Sequence, residues 1–143
     1  LEKGYRMWGT DLHTGFNPFQ AGLLRDNSHP KPSRIKDTQF IGRESLLQAQ
    51  ENGQSSKLSC LLIQNTTTPI MGNEPILKNN MLLGYVTSGD YGYTVAKNIA
   101  YGYLPIEHSA PGTRVIIQYL DTNLDAIVSE EPLFDPTMER LKS

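Results

Sequence analysis

At 143 residues, 38% hydrophobic and 20% charged, with a formal charge of −2, the chain suffices for one ordinary globular domain, or a small domain plus part of another. This charge balance excludes a strongly basic nucleic-acid surface, and no apolar run is long enough to span a bilayer. The single cysteine, Cys60, excludes an intrachain disulfide; its setting in Leu58-Ser59-Cys60-Leu61-Leu62 predicts a buried free thiol and fits a reducing compartment.

The first residues, Leu1-Glu2-Lys3-Gly4-Tyr5, read as the middle of a structured segment rather than a leader, so a fragment of a longer protein is the expectation. Residues 1–24 mix Tyr5, Trp8, Phe16 and Phe19 with glycines. Asn17-Pro18-Phe19-Gln20 has a capping residue, a proline at the first helical position and a glutamine at the capping-box position, which predicts a short helix. Residues 25–36 carry two prolines and little apolar material and are expected to form a loop or disordered stretch. Residues 43–52 place Leu46, Leu47 and Gln50 at helical spacing, with Gly53 as the stop.

From Lys57 the pattern changes to short strands bounded by turn residues: 57–64, 74–77, 81–88, 96–103, 114–120 and 125–130. Asn79-Asn80 suits a tight hairpin turn. Residues 88–92 and Ala110-Pro111-Gly112 are expected to break the chain between later strands. Six short strands at this spacing predict a small barrel or sandwich.

The chemistry visible in the residues is sparse. His13, His29 and His108 are scattered, without cysteine or acidic partners at metal-ligand spacing, and read as loop or surface residues. There is no G-x-S-x-G elbow, and Cys60 lacks the exposed, positive surroundings of a reactive thiol. The glycine-rich passage from Gly84 to Tyr93 lacks Walker spacing and reads as a strand end and turn. Asn65-Thr66-Thr67 matches a glycosylation sequon without a secretion signal beside it. Tyr5 and Trp8, three apart, would share one face of a helix; they suit either a core or an aromatic wall for a planar ligand.

Taken in order, Leu1-Glu2-Lys3-Gly4-Tyr5-Arg6-Met7-Trp8-Gly9-Thr10-Asp11-Leu12, Asn17-Pro18-Phe19-Gln20-Ala21-Gly22-Leu23 and Phe40-Ile41-Gly42-Arg43-Glu44-Ser45-Leu46 resemble the end of the folate-binding domain of glycine-cleavage T-proteins. Gly84-Tyr85-Val86-Thr87-Ser88-Gly89, Ile99-Ala100-Tyr101-Gly102-Tyr103-Leu104-Pro105, Pro111-Gly112-Thr113 and Glu131-Pro132-Leu133-Phe134-Asp135-Pro136 continue the resemblance through the tail. The wording of these motifs is most similar to the dimethylglycine oxidase and sarcosine dehydrogenase branch of flavoproteins. The resemblance implies an α+β chain: residues 1–53 as the end of a folate-binding domain, then residues 54–143 as a six-stranded antiparallel Greek-key-type β-barrel.

It also implies a function. In such proteins an FAD domain oxidises an N-methyl amine, and the aminomethyltransferase-like half presents tetrahydrofolate, which captures the one-carbon unit as methylenetetrahydrofolate. This chain would share tetrahydrofolate with an upstream folate-binding region; FAD would belong to the parent alone. Its partners would be those upstream domains, with no nucleic acid or membrane, in the cytoplasm or the mitochondrial matrix. The family's catalytic residues lie upstream of the matching motif, so none is assigned here; the candidate cofactor-binding residues are Tyr5 and Trp8. Glu139 or Arg140 falls where T-proteins place a tyrosine, and the segment after Leu23 is longer and more polar than in the family. Two other readings share the resemblance: a non-catalytic regulatory or interaction module with the same fold, and part of a free-standing T-protein.

Overall fold

The structure is a computed structural model that describes residues 1–24, 35–64, 66 and 70–142. The expectations for residues 25–34, including His29, and for the Asn65 sequon lie outside the described residues. One helix, α1 (Arg43–Asn52), precedes six strands: β1 (Ser56–Ile63), β2 (Pro75–Lys78), β3 (Met81–Gly92), β4 (Lys97–Pro105), β5 (Arg114–Tyr119) and β6 (Thr122–Ser129). A 3-10 turn spans Ile106–His108, and a one-turn helix, α2 (Glu139–Lys142), ends the described chain.

The strands close into an antiparallel barrel in the order β1-β4-β3-β2-β5-β6, with β1 also paired to β6. Strands β2, β3 and β4 are successive neighbours, β5 returns beside β2, and β1 lies beside β4. Each return is a Greek key, and closure leaves no sheet edge unpaired. The turn chemistry follows the sequence: Asn79 and Asn80 both adopt the left-handed conformation (φ 50° and 61°) that a two-residue hairpin loop requires. Gly53 ends α1 at φ 72°.

The barrel interior is filled by Leu61, Ile63, Ile76, Val86, Ala100, Leu104, Val115, Ile117, Leu124, Ala126 and Val128. Strands β5 and β6 alternate buried and exposed positions, as strands with one wet face must. Strands β1 and β4 instead run almost continuously buried. Their outer side chains, Leu58, Cys60, Ile99, Tyr101 and Tyr103, form a second apolar cluster with Leu1, Phe16, Val95 and Leu133. Residues from both ends of the chain therefore cover one outer wall of the barrel. Phe16 stacks on Tyr103 with ring centroids 3.4 Å apart.

Two sequence expectations change. The segment after Asn17 makes a single capped turn rather than a helix: Asn17 Oδ1 accepts the amides of Phe19 and Gln20, and Gln20 Oε1 accepts that of Asn17. The capping box is formed, but Gly22 turns to φ 69° and the chain leaves the helical path. Strand β3 also runs through the expected break at 88–92, because Ser88 to Gly92 pair with Tyr101 to Lys97 of β4. The partner strand supplies the hydrogen bonds that the local sequence alone does not promise.

Candidate functional site

A cleft of about 530 Å³ opens where residues 1–11 cross the far half of β3. Tyr5, Tyr91, Tyr93 and Phe134 supply its aromatic walls, and Glu2, Lys3, Asp11, Ser88 and Asp90 its polar ones.

Asp11 is the anchor of the site and only 1% exposed. Its Oδ1 accepts hydrogen bonds from Thr87 Oγ1 (2.5 Å) and Ser88 Oγ (2.8 Å), and its Oδ2 accepts the Met7 amide at 2.9 Å. Successive residues of a regular strand point to opposite faces. Here the register shift between Val86 and Ser88 lets Thr87 and Ser88 reach the same carboxylate. Tyr103 donates its hydroxyl to the backbone carbonyl of Asp11 at 2.7 Å. Burial, with Asp11 adding to it, pushes the Tyr103 phenol up to about 12.

Glu2 and Lys3 act in the same way. Glu2 Oε1 accepts the amides of Thr94 (2.6 Å) and Val95 (2.9 Å), closing the β3–β4 turn onto the N-terminal segment. The Val95 amide, with further help from Thr94, holds the Glu2 carboxyl below its ordinary range. Lys3 pairs with Asp135 at 2.8 Å, and that ammonium likewise holds Asp135 low. The Phe134 amide donates to the Glu2 carbonyl, which lays the tail along the first residues. Arg6 ties the same two segments: it bonds Glu131 and the carbonyls of Gly4 and Ala21, and lies 5.5 Å from the Tyr101 ring centroid.

The sequence candidates separate. Tyr5 lines the cleft, while Trp8 is not among the residues that line it. No helix joins them, and at 71% and 76% exposure neither belongs to the core. The core and shared-helix readings of this pair are therefore corrected. The Met7–Leu12 loop bonds back on itself instead of continuing as a helix. Tyr91 and Tyr93, which pack edge to face with centroids 5.1 Å apart, were hidden within a passage read as a turn. Cys60 is buried and free, as expected, and burial pushes its thiol up to about 11. His13 accepts the Gly15 amide through Nδ1 and meets Phe16 edge to face; His108 sits in the 3-10 turn. No group of three His, Cys, Asp or Glu side chains able to hold a metal occurs among the described residues, and no helix there is long and apolar enough to cross a membrane.

The cleft can hold a flat, largely uncharged ring against tyrosine faces and hydroxyls. Asp11 is engaged on both oxygens, and Glu2 and Lys3 are committed to holding segments together. These three therefore shape the cleft rather than offer a free acid, base or cation to a ligand.

Comparison with known proteins gives this geometry its context. The chain is 35% identical to human mitochondrial dimethylglycine dehydrogenase and 31% identical to mouse mitochondrial sarcosine dehydrogenase, in each case over 99% of its own length and 16% of theirs. It is 32% identical to the aminomethyltransferase of Prochlorococcus marinus over 94% of its length and 34% of that protein's. The crystal structure of the glycine cleavage system aminomethyltransferase T from Bartonella henselae superimposes with a TM-score of 0.80 at 25% identity, covering 94% of this chain and 37% of that one. Residues 57–135 match the glycine cleavage T-protein C-terminal barrel domain, and with the closed six-stranded barrel in place the chain belongs to that family.

Proposed function

We propose that this chain is the barrel lobe of a tetrahydrofolate-dependent aminomethyltransferase-type module of an FAD-linked dimethylglycine or sarcosine dehydrogenase, and that its cleft helps to frame the folate site. In this reading residues 1–53 close the folate-binding body and residues 54–143 form the barrel. The observation that carries it is the aromatic cleft at Tyr5, in a chain whose relatives include both dehydrogenases and aminomethyltransferases.

The residues present fit the flat pterin ring, with Tyr5, Tyr91 and Tyr93 as walls, and the cation among the described lining residues, Lys3, is committed to Asp135 rather than to the carboxylates of the glutamate tail. The tail is then gripped by residues of the folate-binding body. Bound tetrahydrofolate would accept the one-carbon unit; the part of this chain is to orient the ring and exclude water from one side. In this reading FAD belongs to a separate domain of the parent protein. Holding folate beside the oxidised amine replaces a bimolecular encounter, which is the benefit of carrying both activities on one chain. The compartment that fits is the mitochondrial matrix in a eukaryote and the cytoplasm otherwise.

Calorimetric titration of tetrahydrofolate into the native polypeptide, unaltered and as Tyr5→Ala, tests the reading. Loss of a stacking tyrosine is expected to weaken binding by about tenfold. Equal affinities reject the assignment of Tyr5.

A further inference from the structure

We infer that the end of the cleft formed by Asp90, Tyr91 and Tyr93 binds a compact N-methylated ammonium cation that carries no carboxylate of its own. The inference rests on the cleft alone and goes beyond the folate reading, with which it shares the two tyrosine walls. Tyr91 and Tyr93 stand nearly perpendicular, their ring planes crossing at 82° with centroids 5.1 Å apart. Both rings line the cleft, so they form adjoining walls of a corner. A flat ring lies against one such wall, whereas a rounded cation can touch both. Phe134, in the same lining, already carries cations on its ring: Lys3 Nζ lies 5.7 Å and the Arg140 guanidinium carbon 4.9 Å from its centroid.

The charge of the lining selects the sign of the ligand. Three carboxylates, Glu2, Asp11 and Asp90, line the cleft against one ammonium, Lys3. Asp11 and Glu2 are engaged by Thr87, Ser88 and backbone amides, and Lys3 by Asp135. Asp90 differs: it is exposed, its Oδ1 accepts the neighbouring Tyr91 amide at 2.7 Å, and no hydrogen bond among the described residues engages its Oδ2. An oriented carboxylate with one open oxygen beside two aromatic faces is the composition of a cage for a methylated ammonium. Such a cation spreads its charge over methyl groups and gives up less hydration than a primary ammonium, so ring faces can replace its water. A carboxylate on the ligand would meet only like charge, because Lys3 is already paired.

The corner is also held in place before any ligand arrives. Asp90 and Tyr91 lie on β3, opposite Ile99 and Asn98 of β4. Tyr93 begins the turn that follows, and Glu2 fastens that turn through the Thr94 and Val95 amides. Little ordering is therefore left to oppose binding.

Calorimetric titration of tetramethylammonium chloride into the native polypeptide, at constant ionic strength, tests the inference. Tyr93→Ala is expected to weaken binding about fivefold and Asp90→Asn about threefold, with Tyr93→Phe within about twofold of the unaltered protein because the ring face remains. Both side chains are exposed, so these variants are expected to fold. Equal affinities in the unaltered protein, Tyr93→Ala and Asp90→Asn overturn the proposal. Ammonium chloride bound as tightly as tetramethylammonium shows attraction to charge without a cage, and trimethylglycine bound as tightly shows that a ligand carboxylate is accepted; either result overturns it. The tetrahydrofolate titration with Tyr5→Ala keeps the two readings apart. Folate binding that depends on Tyr5, with tetramethylammonium indifferent to Asp90 and Tyr93, rejects the cage alone. Tetramethylammonium binding that depends on Asp90 and Tyr93, with folate indifferent to Tyr5, rejects the folate assignment alone.

Discussion

Asp11 is the residue on which the site turns. A buried carboxylate is tolerated only when hydrogen bonds replace its water, and Met7, Thr87 and Ser88 supply them from two segments distant in sequence. Asp11→Ala leaves those donors unsatisfied, and bonds to charged groups contribute about 1.5–3 kcal/mol each before relaxation. We expect a loss of about 3 kcal/mol in urea unfolding, with Asp11→Asn recovering part of it. A change below about 1 kcal/mol would show that the loop is not fastened there. Glu2 and Asp135 set a pH dependence. Both carboxyls are held below their unfolded range, so the stability they contribute is complete above about pH 4.5 and disappears as pH falls through their lower folded values. Glu2→Gln should flatten the acid side of a plot of unfolding midpoint against pH; an unchanged slope assigns that dependence to other groups.

At the scale of elements, the strand positions and α1 were readable because their signals are local: continuous apolar runs for β1 and β4, alternation for β6, asparagines at the β2–β3 turn. What local pattern missed was the reach of β3, and with it Tyr91 and the neighbouring Tyr93 of the cleft. Gly89, Asp90 and Gly92 look like a turn in isolation, and only the β4 ladder makes them a strand. Glycine there has a second reason: a Cβ at Gly92 would lie 2.7 Å from Ile99 Cδ1 and 2.9 Å from Glu2 Oε1. Helix α1 gives the prediction at this scale. Because it buries no side chain, its amides should exchange with deuterium orders of magnitude faster than those of β1 in the chain alone, as for a locally opening element. Comparable protection of the two would mean that α1 is stabilised within this chain after all.

For the whole molecule, the cleft depends on ties between the two ends of the chain. Lys3–Asp135, Arg6–Glu131 and the Phe134 amide on the Glu2 carbonyl bring both ends to the same outer wall. Among the described residues that line the cleft, Lys3 is the cation and it is committed to Asp135, so the chain alone is expected not to bind tetrahydrofolate tightly or to turn over dimethylglycine. Micromolar binding in a separate calorimetric titration of the chain alone would overturn that expectation.

The sequence by itself determined the number, order and type of the strands, the helix 43–52 and its glycine stop, the buried thiol and, through the ordered motifs, the family. These follow from propensity, periodicity and turn chemistry, which act over a few residues. Only the tertiary structure decided that Tyr5 faces a cleft and Trp8 does not, that Asp11 is buried against Thr87 and Ser88, and that Tyr91 and Tyr93 complete the wall. Those facts depend on strand register, a bulge and bonds between residues up to 132 positions apart, as for Lys3 and Asp135, and no local pattern carries such information.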